Sequence, residues 1–345
     1  MLKKILEQIG MYKRWCIDIG SSNTRIMCNG KLLLNEPSMV DFWDGQFRSA
    51  GFRAKNTEFT SLPFDYKLIS PLTQSLISDK ESAMACYFML QFFRKERLKR
   101  KLKLKSATFS VPAHFTKLGI QQTLFKEALL AITKKMHCIP SAVAAIAGLG
   151  LDIFDEIPTC IIDVGGGSTD ISVILNGEII ATKFSGIAGI KLNEKIVGCL
   201  VDDFNMKTGL QQVEHAKILL SEDNKNKLLK TGLEFYGRDK DSGEVKKIRL
   251  QQSHLTSYFN PYYEQILKPI SDCFESVPQM MKDVYTNNRL FLIGGGSKLI
   301  GLKEFLEESL QVTMNTVSEP ELVVVRGLDA LSKNQIIEKV ELKTK

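Results

Sequence analysis

Apolar residues along this chain come in two patterns. One is the short run rich in β-branched residues that ends at glycine. Examples are Ile161 and Ile162 before Asp163, and Leu290 to Ile293 before Gly294. The other is the amphipathic stretch of helical period. The first pattern predicts strands and the second helices. Helices are expected over Met1 to Tyr12, within Ile69 to Phe93, and over Phe115 to Thr133, Pro140 to Leu151, Gly189 to Asp203, Gln211 to Leu220 and His254 to Val284. Ser78, with Glu81 three residues on, reads as a helix N-cap with a capping box. Phe235 to Gln251 reads as a β-hairpin turning in Asp239 to Gly243, and Val323 to Val325 as a strand before a short helix.

One stretch organises the rest. Cys160 to Leu175 is two β-branched strands around Gly165, Gly166, Gly167, Ser168 and Thr169. Consecutive glycines let a backbone approach a ligand and turn its N–H groups toward an anion, and the two hydroxyls can add donors. Asp163 ends the first strand, where a carboxylate suits a hydrated Mg²⁺. Read alone, the stretch could be a plain hairpin. Ile17 to Ile26 repeats it without a gap: Asp18 matches Asp163, Gly20 matches Gly165 and Thr24 matches Thr169, with Ser21, Ser22 and Asn23 between. A third glycine turn, Gly294, Gly295 and Gly296, follows a buried strand and opens a helix at Ser297 and Lys298. Two copies of one hairpin imply a duplicated domain. Two facing phosphate turns and a third glycine turn predict a nucleotide clamped between two lobes.

The order of these turns resembles the actin, sugar-kinase and heat-shock ATPase superfamily, and within it the MreB-type bacterial actins. The likeness runs from Met1 to about Leu331. It includes N-E-P-S-M-V from Asn35, F-S-V-P from Phe109, A-G-I-K-L-N-E-K-I from Ala188, G-R-D-K-D-S-G from Gly237 and L-I-G-L-K-E-F-L from Leu299. The resemblance implies a duplicated actin-like (ribonuclease H-like) α/β fold of two lobes with ATP and Mg²⁺ in the interlobe cleft. Lobe I is expected at 15–153 plus 318–345, with a small outer subdomain near 31–70. Lobe II is expected at 154–317, with its outer subdomain near 205–255. Asp18 and Asp163 are expected to hold the metal, and the three glycine turns the nucleotide. Glu214 and Lys217, an E-x-x-K pair, are expected at the ribose and base. The family's catalytic Glu is replaced here by Gln121 when the following K-E-A is aligned, or by Gly119 when residues are counted without a gap. Gln121 can hold a water but cannot serve as a general base. A slow ATPase coupled to polymerisation is expected, with Asp163 helping to orient the water. Ile139 and Val324 to Leu328 also depart from the family pattern.

Composition narrows the setting. A chain of 345 residues suits two lobes. Its seven cysteines, odd in number and scattered, argue for a reducing compartment and against a disulfide frame or zinc site. The four histidines show no metal-ligand spacing. A formal net charge of +7 suits an anionic partner surface but is too weak to indicate nucleic acid, and none is expected. No apolar run is long enough to span a bilayer. Residues 1–14 form a short basic amphipathic helix with Leu2, Ile5, Leu6 and Ile9 on one face, able to lie in a membrane interface or to dock on the protein itself. The resemblance favours the membrane. Arg94 to Lys105 carries eight basic residues and reads first as a solvated helix end leading to an edge strand guarded by lysines. The resemblance further implies homopolymeric filaments in the cytoplasm at the inner face of the membrane, working with membrane proteins of the cell-wall elongation machinery. A filament that positions DNA or organelles, and a nucleotide-binding scaffold with little hydrolysis, remain open. A small-molecule kinase would need a substrate base and a second pocket, for which no motif stands out.

Overall fold

The computed structural model describes residues 13–57, 65–73, 76–113, 115, 119–219 and 232–341. Leu2, Ile5, Leu6 and Ile9 of the expected membrane helix lie outside them. Two compact units divide the chain: Met1–Pro158 with Ser172–Thr182 and Leu322–Lys345, and Thr159–Ile171 with Lys183–Glu321.

The first unit is built on β1 (Trp15–Ile19), β2 (Asn23–Cys28) and β3 (Lys31–Pro37). A smaller sheet of order β5-β4-β6 follows, from β4 (Val40–Trp43), β5 (Gln46–Ala50) and β6 (Tyr66–Ile69). With β7 (Ala107–Val111) and β8 (Met136–Pro140) the main sheet runs β3-β2-β1-β7-β8. Its first three strands pair antiparallel, and β1, β7 and β8 pair parallel. All five residues of β7 are buried, as befits a strand covered on both faces. Ile17, Ile26, Phe109, Met89, Leu90 and Phe93 are fully buried around it. Each such side chain stabilises the fold by about 1.5–3 kcal/mol.

Several expectations are corrected here. The helix Lys80–Phe92 is capped by Asp79, whose Oδ1 accepts from the Ser82 amide at 2.8 Å. Ser78 instead donates to Asp79 Oδ2 at 2.7 Å. The carboxylate outcompetes the hydroxyl one residue earlier. The basic run does not lead to an edge strand, because β7 lies between β1 and β8. Nor is all of it solvated. Arg94, in the π-helical turn Phe93–Arg97, is buried and donates to the carbonyls of Ala131 at 3.1 Å, Arg100 at 3.0 Å and Lys101. The helix after β7 is shorter than expected, Ile120–Leu129. Gly119, at φ 55°, adopts a left-handed φ that no helix can carry backward. Val323 to Val325 form no strand but open the helix Val323–Lys333. All three are buried, their helix packs against the helix Ser141–Gly148, and tertiary contact overrides β-propensity.

Further along the chain come β9 (Thr159–Val164), β10 (Thr169–Leu175), β11 (Glu178–Ser185), β12 (Met206–Lys207), β13 (Leu233–Asp239), β14 (Val245–Leu250) and β15 (Leu290–Ile293), all in the second unit except the Ser172–Thr182 part of β10 and β11. One sheet runs β11-β10-β9-β15, with β15 parallel to β9, and a second runs β12-β13-β14. The helix Gln252–Ser276 continues through Pro261 and Pro269. Its buried face, with Tyr258, Tyr262, Ile266, Ile270 and Cys273, holds the helix across two missing N–H donors. Pro278 opens the next helix, Pro278–Thr286. Ser297 and Lys298 fall in a single 3₁₀ turn, Gly295–Lys298, and the following helix starts only at Leu302, after Gly301 at φ 80°. Among the described residues no helix is long and apolar enough to cross a membrane.

Candidate functional site

The two repeated hairpins close their turns in the same way. The Gly20 amide donates to Asn23 O at 3.0 Å, and the Gly165 amide donates to Ser168 O at 2.9 Å. A Cβ on either glycine would stand 3.0 Å or 3.1 Å from that same carbonyl, so each position favours glycine for the close approach. The repeat seen in the sequence is therefore also a repeat of backbone geometry.

The hydroxyls mostly serve the turns themselves. Thr24 is fully buried with its Oγ1 2.9 Å from Ser38 Oγ, and Ser38 donates to Gly20 O at 2.6 Å. Thr169, also fully buried, donates to Ile187 O at 2.7 Å. Ser168 donates to Asp170 Oδ2 at 2.6 Å, and Ser297 to Gly294 O at 2.7 Å. Asn23 Nδ2 donates to Asn35 Oδ1 at 3.0 Å. Thr24, Thr169, Ser168 and Ser297 thus shape the turns.

The second turn is electropositive by construction. The carbonyls of Gly165 and Gly166 accept from the amides of Gly189 at 3.2 Å and Ile190 at 2.8 Å. This ties the N-terminus of the helix Gly189–Phe204, the positive end of a helix dipole, to the glycine turn. Lys217, from the helix Leu210–Leu219, donates its Nζ to Gly189 O at 2.9 Å. Lys217 and the second turn are brought together, and Glu214 lies on the same helix.

The third turn joins the second through strand register. Ile293 pairs with Asp163, so Gly294 follows beside the carboxylate. A Cβ on Gly294, whose φ is 82°, would collide with Asp163 Oδ1. One on Gly296 would collide with the Val164 side chain. Lys298 is paired with Glu321 at 3.0 Å rather than standing open to a ligand.

The first turn carries a different charge pattern. Asp18 Oδ1 accepts from Ser110 Oγ at 2.6 Å, and Asp18 Oδ2 lies 3.5 Å from Arg25 Nη1. Gln121 is half-buried in the first turn of its helix, and Gly119 is that helix's cap. Asp170, the counterpart of Arg25, has its carboxyl pushed up to about 6 by burial, against the Ser168 hydrogen bond. Sequence reasoning missed Ser38, Ser110, Arg25 and Asp170. Ser38 sits in the N-E-P-S-M-V segment and Ser110 in F-S-V-P, both quoted only as family likeness. The hairpin alignment also set Arg25 opposite Asp170, a signal left unread.

Among the described residues no group of three or more His, Cys, Asp or Glu could cage a metal.

Comparison with known proteins places these features. The family described as MreB/Mbl protein matches residues 12–339. The cell shape-determining protein Mbl of Bacillus subtilis (strain 168) is 26% identical over 325 residues, covering 92% of this chain and 95% of that protein. The cell shape-determining protein MreB of Escherichia coli (strain K12) is 24% identical over 337 residues, covering 95% and 94%. Among solved structures, MreB 5 of Spiroplasma citri bound to AMPPNP superposes with a TM-score of 0.81 at 21% identity, covering 94% of this chain and 98% of that one. The MamK double helical filament gives a TM-score of 0.72 at 18% identity, covering 93% and 98%. The fold is that of these actin-like proteins.

Proposed function

The chain belongs to the MreB/Mbl family, and from that premise we propose that it is an ATP-binding bacterial actin homologue whose membrane-associated filaments help determine cell shape by guiding cell-wall synthesis. The observation that carries the nucleotide reading is the pair of turns closed by the same glycine hydrogen bond, at Gly20 and Gly165. The relatives support it: the Spiroplasma MreB5 has been solved with AMPPNP and with ADP, and MamK as a filament.

In this reading the backbone of residues 20–24 and 165–169 holds the phosphates. The helix end at Gly189, with Lys217 beside it, adds positive potential at the second turn. Gly294 and Gly296 let the base and ribose lie against the backbone, with Glu214 and Lys217 toward the ribose. Mg²⁺, when bound, would supply charge neutralisation for the phosphates. It is assigned to the Asp163 turn; at the first turn Asp18 Oδ1 accepts from Ser110 and Oδ2 faces Arg25 at 3.5 Å. Gln121 would position the attacking water by hydrogen bonds, which makes hydrolysis slow.

The membrane reading rests on the basic amphipathic pattern of residues 1–14 and on one observation within the fold. Leu102 is 81% exposed, between Lys101 and Lys103. An apolar side chain ringed by lysines suits an anionic lipid surface, where each basic residue contributes about 1 kcal/mol. Partners in this reading are further copies of the chain, the inner membrane face, and membrane proteins of cell-wall elongation.

Negative-stain microscopy on anionic liposomes tests the proposal, with Mg·ATP against Mg·ADP. Filaments on the liposomes with ATP are expected. Their absence under every nucleotide would sink the cytoskeletal reading. Filaments with no measurable phosphate release would favour the scaffold that scarcely hydrolyses, which the Gln121 substitution supports.

A further inference from the structure

The two phosphate turns agree up to Thr24 and Thr169 and part at the next residue. Arg25 follows the first and Asp170 the second. Arg25 stands opposite Asp18 in the β1–β2 ladder. The two side chains are each 16% exposed, with Nη1 3.5 Å from Oδ2. Arg25 Nε is buried and has no hydrogen-bond acceptor. Asp18 is held from its other side by Ser110, at 2.6 Å.

A guanidinium has five N–H donors in a rigid fork and no acceptor, and it keeps its charge at any relevant pH. Burying one of those donors without a partner costs its desolvation in full. That cost is offset if an acceptor arrives with the ligand. Phosphate oxygens are the acceptors that match a guanidinium fork best. Asp18 and Ser110 fix where the guanidinium sits, so it is pre-oriented before any anion comes.

We infer that Arg25 is a phosphate-binding residue of the first turn and that Asp18 is its anchor, not a magnesium ligand. The chain then divides the work. The first turn neutralises phosphate with its own cation, and the second turn does so with the metal beside Asp163. This rests on the nucleotide reading above.

The test is ATP affinity by calorimetry, with Mg²⁺ and with EDTA, for the full chain and two variants. Arg25→Leu is expected to weaken binding about tenfold in both buffers, the loss of one charge-assisted contact. Arg25→Leu leaves Asp18 unpaired and can disturb the fold, so a second variant is needed. Asp18→Asn keeps an acceptor for Ser110 and releases the guanidinium. It is expected to tighten ATP binding in EDTA by about threefold and to keep the gain that Mg²⁺ gives. Wild-type affinity in Arg25→Leu would overturn the inference, as would loss of the Mg²⁺ gain in Asp18→Asn. Either result leaves the nucleotide reading standing. A wild-type chain that binds no ATP in either buffer overturns that reading, and the inference with it.

Discussion

Asp170 shows how one residue sets a pH response. Its carboxyl titrates near 6 in the fold because burial disfavours the charge, against 3.8 for a free aspartate. Below about 6 the folded protein takes up a proton that the unfolded chain does not yet bind. The penalty for burying the charge is therefore full above 6 and fades as pH falls toward 3.8. Asp170→Asn still accepts from Ser168 but carries no charge. Its melting temperature is expected to exceed that of the wild type at pH 7.5 by more than at pH 5, and an equal gain at both would refute the assignment. Gln121 gives a second test at this scale. Gln121→Glu supplies a general base and should raise phosphate release at least about tenfold; an unchanged rate would remove Gln121 from the catalytic position. The glycine turns were readable in the sequence because close backbone approach leaves few residues other than glycine. The partners of Asp18 were not. Ser110 is 92 residues away from it, and no local pattern announces a hydrogen bond between strands β1 and β7.

At the scale of elements, packing decided what propensity could not. Val323 to Val325 read as a strand, yet they form a helix because two helices meet closely there. Gly327 lies against the backbone of Ala144, and Gly148 against that of Val323. A Cβ at Gly327 would collide with Ala144 O. Gly327→Ala should therefore lower stability by about 1–3 kcal/mol, seen as a lower denaturation midpoint at unchanged slope. A midpoint equal to the wild type would show that the helices separate freely. The same logic explains the helix that runs through Pro261 and Pro269. Strand positions were legible where β-branched runs met glycine. Helix ends were less so, because Asp79 and Gly119 set them through cap competition and backbone handedness.

For the molecule as a whole, the duplicated hairpin, the α/β class and the family were all legible, since the hairpin recurs without a gap 145 positions further along the sequence. The pairing of distant strands was not, as in β9 with β15, which joins residues some 130 positions apart only after folding. The proposed lipid attachment is tested at this scale. Cosedimentation with anionic vesicles is expected to fall in a chain starting at Tyr12, and to fall further with Leu102→Glu added. Full retention by the doubly altered chain would remove the membrane from the proposal. The buried Arg94 bears on that attachment in another way. By gripping the carbonyls of Ala131, Arg100 and Lys101 it fixes the backbone that presents Leu102. Ordering a free residue costs about 1–2 kcal/mol of backbone entropy. Here that loss is taken once, during folding, so in the proposed attachment a lipid surface would meet a tip already set in shape and would give up almost none of its binding energy to freeze it.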